Sequence, residues 1–304
     1  MAKGATVLRW RLILGVLLIA GLAGLCWLDA TANLPGLYLG PLAMVAALLA
    51  AGEMLRMFRA AGHDPAAWTV YVGTLLPVAA SCVAVTGYYV PHVFIVGRLG
   101  WLAMGLAGGL GVAIVGEMRR YETPGKSIVR LSLAALSVLY VGGLLGMLVQ
   151  LRLVRPTGED EGDWRSLVPL LSLIATVKLS DTMQYTFGRL FGKHKVAPKL
   201  SPGKTWEGTI GGIGVATLVA AATLAWLIQG AHGMRVAMLL TTGAFALSVA
   251  VAGIIGDLAE SMLKRDAGVK DSSDWLPGFG GVLDLLDSLL LSAPVAYLFW
   301  AVVL

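Results

Sequence analysis

Apolar residues run along the chain in nine long blocks, parted by short polar stretches. The blocks cover roughly 10–28, 38–58, 69–90, 94–117, 129–151, 165–181, 208–229, 235–257 and 282–303. Each approaches the about 20 apolar residues that a helix needs to cross a bilayer. Hydrophobicity within the blocks is continuous rather than alternating with a period of two, which excludes a transmembrane β-barrel. Only helices and closed barrels satisfy their backbone in lipid. The pattern therefore predicts an all-α, polytopic membrane protein with about nine transmembrane helices. The third and fourth blocks are parted only by a short turn at Pro91-His92. The sixth is short and ends in Lys178-Leu-Ser-Asp181, which makes its inner end polar. We divide the chain into 1–164, with five spans, and 165–304, with four spans and the chemistry.

Composition sharpens this picture. Of the 304 residues, 57% are hydrophobic and only 13% charged. Soluble domains hold about 45–50% apolar residues. Cys26 and Cys82 each sit inside an apolar block and read as small core residues rather than a disulfide framework. The four histidines are scattered and offer no metal-ligand spacing. A net charge of +5 fits cytoplasmic loops better than nucleic-acid binding. Aromatic residues interleaved with basic ones, as in single-strand binders, are absent from the sequence. Leu12–Leu28 lacks a small-residue cleavage site and is expected to be a retained first span.

Lysine and arginine placement predicts orientation. With a cytoplasmic N-terminus, 18 of the 23 basic residues fall inside. Arg98, Arg152, Arg155, Arg165 and Arg235 remain outside. The bias predicts N-in and C-out. The acidic run Glu159-Asp160-Glu161-Gly162-Asp163 then faces outward as a solvated loop. Gly105, Gly108, Gly109 and Gly111, and Gly208, Gly211, Gly212 and Gly214, are expected to let helices approach closely.

Two polar segments then share the cytoplasmic side. The first runs from Asp181 to Gly208 and carries Arg189, Lys193, Lys199, Ser201, Lys204, Thr205 and Glu207. Gly203-Lys204-Thr205 is not a P-loop, because Pro198 stands where that motif has glycine and no strand precedes it. Cations, hydroxyls and glycines nevertheless suit phosphate. Ser201 before Pro202 is expected to cap a helix whose N-terminus would add a positive dipole end. A basic juxtamembrane loop binding lipid head groups nonspecifically is the alternative.

The second segment, from Ser261 to Asp287, holds Lys264, Arg265 and Lys270 with Asp266, Asp271, Asp274, Asp284 and Asp287. Charge beside a span is costly unless solvated, paired or bound. Asp284 and Asp287 are three residues apart and share a helix face. Two carboxylates there repel unless a cation sits between them. Hard divalent cations take oxygen ligands and share them with substrate phosphates, and Asp257 would add a further ligand. Pairing of Asp284 and Asp287 with Lys264 or Arg265 is the plainer reading. Pro277-Gly278-Phe279-Gly280-Gly281 reads as a tight turn with exposed backbone. Such a pocket needs no protein nucleophile. If the attacking group is a phosphate oxygen, positioning and charge neutralisation suffice.

These residues resemble the phosphatidate cytidylyltransferase (CDP-diacylglycerol synthase) family. Its pattern is Ser-x-x-Lys-Arg, a four-residue gap, Lys-Asp, then Pro-Gly-His-Gly-Gly and Asp-Arg-x-Asp. Ser261, Lys264, Arg265, Lys270, Asp271, Pro277, Gly278, Gly280, Gly281, Asp284 and Asp287 match it, with Gly256, Asp257 and Glu260 just before. An upstream block also matches, through Asp181, Tyr185, Gly188, Arg189, Lys193, Ser201, Pro202, Lys204, Thr205, Glu207 and Gly208. The motifs cover about 181–288.

The resemblance implies the reaction of CTP with phosphatidate to give CDP-diacylglycerol and pyrophosphate, with Mg2+. It implies a catalytic set of Lys264, Arg265, Lys270 and Asp271. The substrate-binding set is Asp181, Arg189, Lys193, Ser201, Lys204, Thr205, Glu207 and Ser261. Asp257, Asp284 and Asp287 would hold the metal. The partners implied are CTP, phosphatidate and membrane lipids, with a homodimer left open and nucleic acid excluded. The protein is expected in a bacterial inner membrane, with its active site on the cytoplasmic side. Phe279 stands where the family has His, Leu285 where it has Arg, and Met183-Gln184 replaces a small Gly-Ala pair. Phe offers no hydrogen bond and Leu no charge. The alternative is therefore a diverged membrane lipid-binding or transport protein with lost or altered catalysis.

Overall fold

The computed structural model describes residues 2–83, 97–122, 124–154, 164–229, 235–273, 275 and 280–303. Ten α-helices carry the described chain: α1 Ala2–Thr31, α2 Leu39–Ala60, α3 Ala67–Val83, α4 Gly97–Arg119, α5 Ser127–Ser137, α6 Leu144–Arg152, α7 Val168–Phe191, α8 Trp206–Gln229, α9 Val236–Asp266 and α10 Val282–Leu298. A wider π-turn, Val138–Gly143, joins α5 to α6, so that Ser127–Arg152 forms one span. Among the described residues, eight helices are long and apolar enough to cross a membrane. The ninth expected block corresponds to α3, with 17 described residues, and its expected end at 90 lies outside the described residues. The turn at Pro91-His92 and the acidic run 159–163 lie outside them too. The chain is an integral membrane protein of all-α class.

Two departures from the expected boundaries matter for the site. Helix α7 continues past Asp181 to Phe191, and α9 past Asp257 to Asp266. Polar residues at the water-facing ends of these helices carry no penalty, so the hydrogen-bond ladder runs on after hydropathy stops. Between α7 and α8 the chain forms a hairpin rather than a helix start. Strand β1 (Lys195–Ala197) pairs antiparallel with β2 (Ser201–Thr205), in the register Lys195↔Thr205 and Ala197↔Ser201. Pro202 is tolerated because a two-stranded ribbon leaves alternate backbone N–H groups unpaired.

The chain divides into two compact units: Met1–Leu167 with Asp266–Leu286, and Val168–Arg265 with Asp287–Leu304. In the first, Ala51, Leu55, Val70, Ala113 and Ala134 form a buried cluster. Helices α3 and α4 meet through glycine, since a Cβ on Gly105 would fall 2.6 Å from the Pro77 Cα. Gly109 is equally close to the Gly73 backbone, whereas Gly111 faces open space.

A buried ion pair organises the opposite end of this unit. Asp29, wholly buried, accepts a 2.7 Å hydrogen bond from Arg152 Nε. It also accepts the backbone N–H groups of Gly36, Tyr38 and Leu39, and so caps the start of α2. Arg152 donates further to the carbonyls of Asp29 and Ser166. Each nitrogen of the guanidinium and both oxygens of the carboxylate thus have a partner, which is what makes burial of the pair tolerable.

In the second unit, α7 packs on α8 with Gly208 and Gly212 against the Gln184 backbone. A Cβ on Gly212 would lie 2.6 Å from the Gln184 nitrogen, while Gly214 faces open space. Phe245 stands edge-on to Phe299 and Trp300. Trp300 Nε1 donates to Ser172 Oγ at 3.0 Å, so the indole brings no unsatisfied donor into the core.

Candidate active site

The site residues of the second unit lie at the ends of α7, α9 and α10 and on the hairpin. Asp181 is 3.8 Å from Lys178, one turn back on α7. Arg189 lies two turns further on, beside the Tyr185 hydroxyl at 3.4 Å. Ser201 and Lys204 are on β2. Helix α8 starts after Thr205, not at Ser201. Thr205 Oγ1 accepts the Gly208 N–H at 3.2 Å, the bond that an N-cap side chain makes. Glu207 accepts the backbone N–H groups of Lys193 and His194 and touches His194 Nδ1 at 2.6 Å. Of these two expected substrate contacts, Glu207 therefore also clamps the Lys193-His194 turn to the first turn of α8, and Thr205 caps that helix.

Lys204 reaches from the hairpin to α9, where its Nζ is 2.7 Å from Asp257 Oδ2. Ser261, one turn on, donates to the other Asp257 oxygen at 3.3 Å. Lys264 pairs with the buried Glu260 at 3.1 Å. Arg265 Nε donates to the Leu200 carbonyl in the hairpin turn, which ties the end of α9 to β2. Asp287, on α10, lies within electrostatic range of Asp257 and Lys178. Asp181 lies within range of Lys178, Asp257 and Lys204. Gly256 makes this possible, because a Cβ there would overlap the Asp287 carbonyl oxygen. The unit thus collects Asp181, Asp257 and Asp287 around Lys178 and Lys204.

The remaining expected residues belong to the first unit. Helix α9 ends at Asp266, and Gly268 follows with φ +69°, the left-handed conformation that closes helices. Lys270 and Asp271 are exposed. Asp284 Oδ2 accepts the Ser272 N–H at 3.0 Å, the Ser272 hydroxyl at 2.6 Å and the Gly281 N–H at 2.8 Å. The last bond runs from the third helical residue back to the N-cap amide, which is half of a capping box. Asp274, Pro277, Gly278 and Phe279 lie outside the described residues.

Sequence reading missed Glu53. It sits on α2, wholly buried, and accepts hydrogen bonds from Ser272 Oγ, Trp275 Nε1 and the backbone of Val282 and Leu283. The signal was present: a carboxylate in an apolar span is a functional candidate in its own right.

A profile of the Cytidylyltransferase family matches residues 9–303. The chain belongs to that family. A phosphatidate cytidylyltransferase of Haemophilus influenzae is 44% identical over 168 residues, covering 54% of each chain. One of Pseudomonas aeruginosa is 46% identical over 133 residues, 43% of this chain and 47% of its own. An uncharacterized protein of Escherichia coli, YnbB, is 38% identical over 147 residues, 48% of this chain and 46% of its own. The chain spans about half the length of the curated relatives it matches.

Divalent metal is the group that such chemistry calls on. Among the described residues, no three His, Cys, Asp or Glu side chains stand close enough to hold an ion. The donor chemistry nevertheless fits. Asp257 and Asp287 offer hard carboxylate oxygens within range of one another, and the cation on Asp257, Lys204, is the movable end of a side chain.

Proposed function

We propose that the protein transfers the cytidylyl group of CTP to phosphatidate, forming CDP-diacylglycerol and pyrophosphate for phospholipid synthesis. One observation carries the proposal: a member of the Cytidylyltransferase family gathers Lys178, Asp181, Lys204, Asp257 and Asp287 in one helical unit. In the reaction, a phosphate oxygen of phosphatidate forms a bond to the α-phosphorus of CTP. The bond from that phosphorus to the bridging oxygen of the β-phosphate breaks, and its electrons leave with pyrophosphate. A phosphate oxygen is already an anion at neutral pH, so no protein base is required.

The chain's own work is to hold two polyanions together and to neutralise them. Lys204, Arg189 and Lys193 would bind phosphates from the α7–hairpin side, with Lys264 and Arg265 from the α9 side; Lys270, the further cation that the resemblance implies, belongs to the first unit. Ser201, Thr205 and Ser261 would add hydroxyls, and Asp181, Glu207 and Asp271 would orient these cations. Mg2+, when bound, supplies positive charge to the phosphate oxygens. Asp257 and Asp287 would hold it; Asp284, the further ligand that the resemblance implies, belongs to the first unit. We place the protein in the bacterial inner membrane with the charged segments facing the cytoplasm, where CTP is found. The inside excess of 18 of 23 basic residues supports that orientation.

The test is direct. Purified protein with labelled CTP, phosphatidate and Mg2+ should yield labelled CDP-lipid and equimolar pyrophosphate. Absence of product, with a related enzyme active alongside, overturns the proposal. The family match over residues 9–303 weighs against a purely lipid-binding or transport role.

A further inference from the structure

We infer that Glu53, on α2, is a positioning residue for the signature segment, which it holds from the far end of the sequence. The inference rests on the proposed cytidylyl transfer for its catalytic consequence, and on geometry alone for the contact.

Glu53 is wholly buried, and its neighbours along α2, Ala50, Ala51, Met54 and Leu55, are buried too. A carboxylate in such surroundings must be matched by donors. Arg56 approaches only to 3.9 Å and is half exposed, so it contributes little. Among the described residues, the close donors are Ser272, Trp275, Val282 and Leu283. Oε1 accepts the Val282 N–H at 2.9 Å and Trp275 Nε1 at 3.1 Å. Oε2 accepts the Leu283 N–H at 2.8 Å and the Ser272 hydroxyl at 2.9 Å.

Val282 and Leu283 are the first two residues of α10, whose N–H groups have no acceptor within the helix. An N-cap side chain ordinarily serves one N–H of this first turn. The N-cap position here is Gly281, which has none, and Glu53 does this from α2. The negative charge also meets the positive end of the helix dipole. Asp284 covers the Gly281 N–H, and Ser272 bridges the two carboxylates.

This arrangement accounts for the paired glycines of the motif. A Cβ on Gly281 would overlap the Glu53 carboxylate and the Ser272 hydroxyl. Gly280 enters with φ +84°, a conformation that favours glycine. The Glu53 carboxylate fills the space that a residue-281 side chain would take. It also occupies the α10 N-terminus, an otherwise ready phosphate site. Substrate phosphate is thereby left to the lysines and arginines.

The experiment compares wild type with E53Q, E53A and E53D in detergent or nanodiscs. Initial rates per folded protein give kcat and KM for CTP and phosphatidate. Hydrogen–deuterium exchange reports on the amides of 282–285. In E53Q an amide NH2 must face one of the two donor pairs. E53Q and E53A are expected to lose at least tenfold in kcat with both KM values within threefold, and E53D to recover part of the loss. Exchange at 282–285 should quicken at least tenfold while α7 and α9 are unchanged. A kcat within twofold of wild type, or faster exchange throughout the protein, overturns the inference. Should E53A not survive purification, E53Q decides by the same measurements. Should wild type make no CDP-lipid, the proposed function fails, and exchange at 282–285 alone decides whether Glu53 holds the segment.

Discussion

Lys204 Nζ, on a two-stranded hairpin, lies 2.7 Å from Asp257 Oδ2 near the end of α9. The pair is mostly shielded, with the side chains 16% and 27% exposed. Lys204 and a divalent cation would compete for the same carboxylate, while Lys204 and a nucleotide phosphate would attract each other. Arrival of substrate phosphate would draw the ammonium away from Asp257 and free an oxygen for metal.

Replacing Lys204 with Met separates these two effects. Binding of Mn2+ to the substrate-free protein, followed by its EPR signal, should tighten about fivefold, because one positive charge leaves the neighbourhood of Asp257 and Asp287. CDP-lipid formation should fall by about 100-fold or more through loss of a phosphate contact. Weaker Mn2+ binding in the variant would contradict the competition.

The carboxylates on α10 should behave differently from each other. Asp287→Asn should remove Mg2+-dependent turnover with little change in thermal stability. Asp284→Asn should lower turnover and also cost about 1 kcal/mol of stability, because Asp284 caps the Gly281 amide and holds Ser272. Thermal melting of the two purified variants, beside their rates, checks the contrast. Equal melting temperatures would refute the capping role.

The Asp29–Arg152 pair lies in the first unit and should matter for stability. Arg152→Met leaves Asp29 buried with backbone donors only and should cost about 3–5 kcal/mol. The double variant Asp29→Asn, Arg152→Met should be less destabilised than the sum of the single changes, because no unpaired charge remains. Denaturation of all four forms in one detergent gives the coupling.

Phe279 and Leu285 stand where the resembling family has His and Arg. If the natural chain is already competent, the variant carrying both Phe279→His and Leu285→Arg should change kcat/KM by less than about tenfold, under about 1.4 kcal/mol of transition-state stabilisation. Activity arising only in that variant would mark the natural protein as one that lost catalysis.

Much of this was legible in the residues. Block length and continuous hydropathy are local properties, and they located the apolar spans. Signature spacing pointed to the family. Element ends were less legible. Hydropathy stopped at Asp181 and Asp257, but α7 and α9 run on to Phe191 and Asp266, since a helix in water keeps its own backbone bonds. Ser201-Pro202 has the chemistry of a helix start, yet pairing with Lys195–Ala197 draws it into a strand and moves the cap to Thr205.

The sequence by itself determined the class of protein, its family and the residue types available for phosphate and metal. Only the tertiary structure decided which partners they have. Lys204 meets Asp257 because the hairpin packs on α9, and Glu53 meets Val282 and Leu283 because α2 packs beside the start of α10. The reason is physical. Hydrophobic pattern is set by neighbours along the chain, whereas a hydrogen bond across 229 residues depends on which helix faces lie together. In this protein, those faces are selected by close-approach glycines such as Gly256 and Gly281.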